Sequence, residues 1–418
     1  MALPVRVSPR AGLQRYAEFI RGEYAGGILL LVGMALALLW ANSPWAGTYQ
    51  EVQEFVVGPG IEALHLDLSL RHWATDGLLA IFFFVVGVEL KREFTTGALS
   101  TLREAITPVI AAVAGMAVPA GIFLAINLAA PNGDPHAWAI PVATDIAVAL
   151  ALLGLLAPGI PAPVRAFLLA LAVTDDLLGI LVIAVFYAEA LHLIWLLASA
   201  ALVVIFALLL RRGVLSPWIL LPIAVLAWWT MHLSGVHATI AGVALGLVVP
   251  AVGSSHDAPA LTEHFEHRWS PISVGFVIPV FAFFATGIPV NVEAIEAAFT
   301  SPIGLGVVLG LVVGKPLGIV LSTLVAQRLL RTPLEERFST GALMVVGAFA
   351  GIGLTVSVLI AELALRQNEV TREVAVLAIL LASTIAAAIG GVLARLMLPR
   401  HSRKQDARID AEDVGLDS

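Results

Sequence analysis

The 418-residue sequence contains no cysteine, which excludes disulfides and thiolate metal sites and leaves the redox compartment unreadable. Charge is scarce as well: Asp, Glu, Lys and Arg make up 13 % of the chain, against roughly 25 % in an ordinary globular domain. No apolar core of a signal peptide precedes Arg21, so a cleavable leader is not expected. What remains is apolar. With 59 % hydrophobic residues and a mean hydropathy of +0.96, this is the composition of an all-α polytopic membrane protein. The net charge of −7 says little about partners, because in such a protein sign matters loop by loop.

Twelve apolar spans are expected, at about 24–43, 73–90, 105–129, 137–157, 162–187, 191–210, 216–233, 236–252, 270–289, 303–327, 339–364 and 373–397. Each is near the ~20 residues that cross a bilayer core. An even count puts both termini on one side. With a cytoplasmic N-terminus, 19 of the 23 basic residues fall inside. Only Arg71, Arg366 and Arg372 fall outside, and Lys315 stays within the membrane. A miscounted span would scramble that asymmetry. The chain therefore divides into a cytoplasmic N-terminal segment 1–23, a transmembrane domain 24–397 and a flexible charged tail 398–418. Residues 10–22 alternate apolar and charged groups at helical spacing, as a helix along the interface or a lead-in to the first span would. The longest outer loop, 46–72, sets EVQEFVV and LHLDLSL around Gly58-Pro59-Gly60, which predicts a surface β-hairpin that could pair across a dimer, a disordered loop being the alternative.

Two spans are not smooth helices. The fourth reads WAIPVATDIAVALALLG, where Pro141 removes a backbone donor just before Thr144 and Asp145. The eleventh reads MVVGAFAGIGLTVSVLIA, with Gly347, Gly351 and Gly353 clustered ahead of Thr355 and Ser357. Unwound backbone at membrane depth persists only where it lines a cavity or is covered by protein. Two broken helices in matching places suggest inverted repeats, here 105–187 and 303–397, with an ion site at the midplane.

Chemistry concentrates at four ionisable groups deep in spans: Asp145, Asp175, Asp176 and Lys315. The tandem acids sit near the middle of the 26-residue run from Ala162 to Tyr187. A charge at that depth costs at least ~2.5 kcal/mol, so such groups pair with one another or face water, and they mark ion and proton pathways. Adjacent helical residues point roughly 100° apart, so Asp175 and Asp176 can border one cavity without facing it equally. Burial and mutual repulsion disfavour the doubly charged pair while a nearby Lys favours it, so protonation belongs to the set rather than to one member. A small hard cation wants oxygen ligands, and Asp176, Asp175, the Thr144 hydroxyl and freed carbonyls can supply them. Protons and the cation then compete for the same carboxylates. At a site open alternately to each side, that competition is antiport. The oxygen-only set argues against a soft transition metal.

Other polar groups admit more than one reading. Asp76, Glu89 and Glu93 read as interfacial anchors of the second span beside Lys91 and Arg92, with Glu89 able to join a cytoplasmic funnel. His237 opens the eighth span and serves equally as a pH sensor or a helix-end partner. LTEHFEHRW holds Glu263, His264, Glu266 and His267, a set that titrates near neutral pH or simply forms a solvated loop.

The blocks FFFVVGVELKRE, IPVATDIAVALALLG, LAVTDDLLGILVIAVFY, SGVHATIAG, GKPLGI and GIGLTVSVLIA, in this order, resemble the bacterial NhaA sodium/proton antiporters from about residue 20 to 397. That resemblance implies twelve helices, the fourth and eleventh interrupted and crossing at mid-membrane. It makes Asp175 and Asp176 the ion and proton site, with Asp176 the main cation ligand. Lys315 would pair with Asp175, and Thr144 with Asp145 would offset the facing helix-end dipoles. It also implies electrogenic export of Na+ or Li+ against inward H+, with activity rising at alkaline pH through Glu89, Glu93, His237, Glu266 and His267. A bacterial inner-membrane homodimer joined through the outer hairpin is expected, in contact with membrane lipid, with no cofactor and no nucleic-acid partner. Two departures stand out: two residues after the tandem acids, where the family commonly carries Gly, Leu178 stands and Gly179 follows, and Ala285-Thr286-Gly287 takes the place of an Asn-Ala-Gly.

Two other classes use similar residues. An intramembrane aspartyl protease needs acids facing each other from separate helices, with Asp145 as the distant partner. A Schiff-base role for Lys315 would make the chain a pump or covalent catalyst. The adjacency of Asp175 and Asp176 speaks against the protease, and twelve spans with a carboxylate pair near Lys315 speak for an ion pair instead of a Schiff base.

Overall fold

The computed structural model describes residues 20, 22 and 24–397, apart from 62–63, 98, 158–159, 189–190, 252–259 and 331–337 and the side chains of 102–104. The expected interfacial helix at 10–22, all of 1–23 but Ile20 and Gly22, and the tail 398–418 lie outside the described residues.

Most of the described chain is helix, because its long apolar runs can satisfy backbone hydrogen bonds in lipid only internally. In order these are α1 (Ala25–Ala41), α2 (Ala46–Glu54), α3 (Leu70–Thr95), α4 (Leu102–Ala129), α5 (Ile146–Leu156), α6 (Ala162–Phe186), α7 (Leu193–Arg211), α8 (Pro217–Leu233), α9 (Thr239–Leu247), α10 (Leu261–Ala285), α11 (Val292–Thr300), α12 (Pro302–Leu329), α13 (Thr340–Ala350), α14 (Thr355–Ala364) and α15 (Glu369–Met397). Among the described residues seven helices are long and apolar enough to cross a membrane, and up to ten spans result if each of three bent pairs counts once. Helices α8 and α9 occupy the expected seventh and eighth spans but are shorter, with 17 and 9 residues. Large apolar side chains such as Ile194, Leu197 and Trp218 face outward, as lipid-facing side chains do.

The loop 46–72 corrects one expectation. Its first stretch is the helix α2, whose Tyr49 and Gln53, one turn apart, are buried on one face. Only β1 (Val56–Val57) and β2 (Leu68–Ser69) pair, antiparallel, with Val56 opposite Ser69. The alternation in EVQEFVV was thus outweighed by what Tyr49 and Gln53 reach: carbonyls of Phe283 and Phe284 on α10. The face carrying this hairpin will be called the hairpin face, and the opposite one, with Lys91, Arg92 and Arg268, the basic face.

The helices form two bundles. In one, α3 packs on α9, α10 follows α3, and α7 with α8 close the outside. In the other, α4, α6, α12, α13 and α15 pack together, and α1 bridges α10 to α5. Within the second bundle α4 and α12 run antiparallel. Gly318 lies on Ala114, Gly314 on Pro119 and Gly306 on Phe123, and the Asn127 side chain donates to the carbonyl of Pro302 at 3.1 Å. Each begins the series long helix, broken helix, long helix, and the two leading helices run in opposite senses.

Candidate ion site

The broken helices cross where the chain loses helical geometry. A 3-10 turn, Ile140–Val142, ends before Thr144 and α5 resumes at Ile146, bent by 43°. Residues 351–354 separate α13 from α14, bent by 46°. The two breaks touch through their backbones: Asp145 N–H donates to the carbonyl of Ile352 at 2.7 Å. This approach needs glycine. A Cβ on Gly351 would come within 2.5 Å of Leu311 O, and one on Gly353 within 2.6 Å of Ala143 O.

Four helix ends meet there, two positive and two negative, and each finds a partner. The Asp145 carboxylate accepts from Val148 N–H at 3.0 Å and from Thr355 N–H at 3.1 Å. One side chain therefore caps the N-termini of both α5 and α14. The Thr144 hydroxyl donates to Ala350 O at 2.9 Å, capping the C-terminus of α13. The Lys315 ammonium donates to Val142 O, at the end of the 3-10 turn. Asp145→Ala removes two caps worth about 1 kcal/mol each and Thr144→Val removes one. The first is expected to lower the detergent melting midpoint clearly more than the second; equal shifts would contradict the shared cap.

Lys315 is brought in by a widened turn. Residues Gly310–Gly314 form a π-helical stretch just before Lys315-Pro316. A wide turn relieves the clash a proline ring makes with the preceding turn, and such turns recur at functional sites. The same device, Ser273–Val277, precedes Pro279 in α10. From this turn the Lys315 ammonium, 1 % exposed, also reaches Asp175 Oδ2 at 2.7 Å. Asp175 and Asp176 are both buried within unbroken α6. Asp175 Oδ1 and Asp176 Oδ1 have no hydrogen-bond partner among the described residues.

The expected site residues thus fall into one connected set: Asp176 beside Asp175, Asp175 on Lys315, Lys315 on Val142, and Thr144 with Asp145 holding the crossing. The Ser357 hydroxyl on α14 is also buried, without a partner among the described residues, and Ser383 on α15 accepts from Gly353 N–H at 3.2 Å. Sequence reading did not single out Ser383, which stands beside Thr384 in an otherwise apolar stretch of helix.

The regulatory candidates do not form one cluster. Arg92 on α3 bonds Glu266 on α10 at 2.5 Å, with Glu93 3.9 Å from Arg92. Glu89 lies one turn before Glu93, partly buried, whereas His267 is exposed. On the opposite face His237, also buried, lies 3.5 Å from Asp76, with His232 4.0 Å away. Asp76 is therefore not an interfacial anchor. It is buried in the π-helical turn Trp73–Leu78, whose backbone accepts from the Trp228 indole at 3.0 Å.

A family model described as Na+/H+ antiporter 1 matches residues 17–394. The chain belongs to that family. Relatives include the Na(+)/H(+) antiporter NhaA of Mycolicibacterium smegmatis, 47 % identical over 96 % of this chain and 93 % of its own length. The Na(+)/H(+) antiporter NhaA 1 of Kineococcus radiotolerans is 45 % identical over 96 % and 94 %. The Na(+)/H(+) antiporter NhaA 2 of Salinispora arenicola is 50 % identical over 93 % and 88 %. Family membership agrees with the resemblance read from the six sequence blocks, and the tandem acids, the lysine and the crossing lie inside the matched region.

Proposed function

We propose that this chain exchanges Na+ or Li+ for H+ across the bacterial inner membrane, using Asp175 and Asp176 as one site that holds either the cation or protons. The observation that carries this reading is a buried Lys315–Asp175 ion pair next to an Asp176 oxygen without a hydrogen-bond partner among the described residues. A bare Na+ arriving there would gain carboxylate oxygens and displace a proton, which is the competition antiport requires. The available acids and the lysine outnumber a single monovalent cation in titratable charge, which supports an electrogenic cycle with more H+ moving in than Na+ moving out. The two bundles support alternating access, one bundle carrying the site against the other. The basic residues on one face support cytoplasmic termini. The hairpin supports pairing into a homodimer, and the Arg92–Glu266 and Asp76–His237 groups support regulation by pH. A proteolytic reading is disfavoured, because both Asp145 oxygens are engaged by backbone amides rather than aimed at another acid.

The test uses inside-out vesicles with a preformed, acid-interior proton gradient. Na+ or Li+ is expected to collapse the gradient, and K+ is not. A gradient indifferent to Na+ and Li+ in vesicles that hold folded protein would overturn the proposal.

A further inference from the structure

On the hairpin face an acidic side chain joins the two bundles. Glu362, on α14, bonds the guanidinium of Arg71, on the first turn of α3, through Oε1. The same oxygen lies 3.7 Å from Arg372 Nε on α15, and Arg372 in turn bonds Glu369 at 2.9 Å. Arg71, Glu362 and Arg372 are largely buried, their side chains 18 %, 12 % and 12 % exposed. The partners are asymmetric: Arg372 belongs to the same bundle as Glu362, whereas Arg71 belongs to the other.

From this arrangement we infer that Arg71–Glu362 is a reversible latch between the two bundles on the hairpin face, closed here and opened when the bundles part. The inference rests on the alternating-access reading above. Breaking a buried pair ordinarily leaves an uncompensated charge and is costly. Here Glu362 keeps Arg372 when Arg71 withdraws, so the carboxylate is never alone, and Arg71 is left at the membrane surface, where water can reach it. A pair with a reserve partner on one side can hold a closed state without making it permanent. The latch is placed to do this: α14 is the half-helix whose first amide is capped by Asp145, so a movement at Glu362 is transmitted along one short rigid helix to the crossing.

The absence of cysteine makes the test clean. Arg71→Cys with Glu362→Cys in the full chain gives a thiol pair on the two bundles, to be joined by a short, reducible, bifunctional methanethiosulfonate added from the hairpin side. Na+-driven collapse of the proton gradient is expected before joining, to be lost on joining and to return with dithiothreitol. The control, Asn368→Cys with Thr371→Cys, places both thiols at the start of α15 and should transport with or without the reagent. Transport that survives cross-linking of the Arg71/Glu362 positions, verified by mass, would overturn the latch while leaving antiport intact. Absence of Na+-driven transport in the unaltered chain would instead overturn the functional reading on which the latch rests. Should the double-cysteine protein fold poorly, Glu362→Gln provides the second arm. With Arg71 kept, it should raise labelling of a lone Thr75→Cys, buried one turn after Arg71, by an impermeant maleimide, and unchanged labelling would count against the latch.

Discussion

Inside-out vesicles carrying Asp176→Asn are expected to show no collapse of the proton gradient on addition of Na+ or Li+. Two losses coincide in this variant. The amide keeps the shape of the carboxylate but can neither release a proton in the operating range nor offer a charged oxygen. Losing one charge-assisted interaction of about 3 kcal/mol lowers cation affinity on the order of 100-fold. Losing the titratable group removes the exchange itself, whatever affinity is left. A second measurement separates the two. Calorimetric titration of the purified protein with Na+, in buffers of different ionisation enthalpy, should report protons released on binding, and Asp176→Asn should release fewer. Sodium-driven proton movement that survives in the variant would place the exchange at another group.

Lys315→Ala carries the largest expected effect on stability. The ammonium is engaged twice, by Asp175 Oδ2 at 2.7 Å and by Val142 O at the end of the 3-10 turn. Removing it leaves a buried carboxylate without its counter-charge, a loss of about 3–5 kcal/mol in comparable buried pairs. It also strips a cap from one of the four helix ends at the crossing. Adding Asp175→Asn should restore much of the stability, because the charge that was stranded is then gone, while the lost contact with Val142 stays lost. Detergent melting curves of the two single variants and the double variant form the cycle. Equal midpoints for Lys315→Ala and the unaltered protein would mean that the pair contributes nothing to the fold.

Much of this site could be read from the chain because it breaks local rules that sequence makes visible. Adjacent acids in an apolar run, a lysine between glycine and proline, and a proline or glycine cluster within a span each contradict their surroundings. Contradictions of that kind gather at functional sites. What stayed hidden depends on partners far apart in the chain. Asp76 reads as an interfacial anchor from its neighbours alone, and only the packing of α3 on α9 brings His237 to it. Arg71 and Glu362 each look like an ordinary charge near the end of a span, and neither announces the other. The helix α2 was misread for a related reason. Alternation in a short segment fits a strand, but Tyr49 and Gln53 face α10 together, and the receiving carbonyls decided the outcome. The π-helical turns leave no periodic trace beyond the prolines that follow two of the three. His267 was grouped with Glu266 because they adjoin, yet neighbouring helical positions point apart, and only Glu266 reaches Arg92.

The shared capping by Asp145 bears on how the site can travel. Because one carboxylate is the start of both α5 and α14, neither half-helix can tilt without pulling on the other's first turn. The two interruptions are stitched into a single joint, fastened again by the hydrogen bond from the Asp145 amide to the Ile352 carbonyl and by the lysine on Val142. Such a joint keeps its own shape when neighbouring helices shift, so the two half-helices behave as one rigid piece at the crossing.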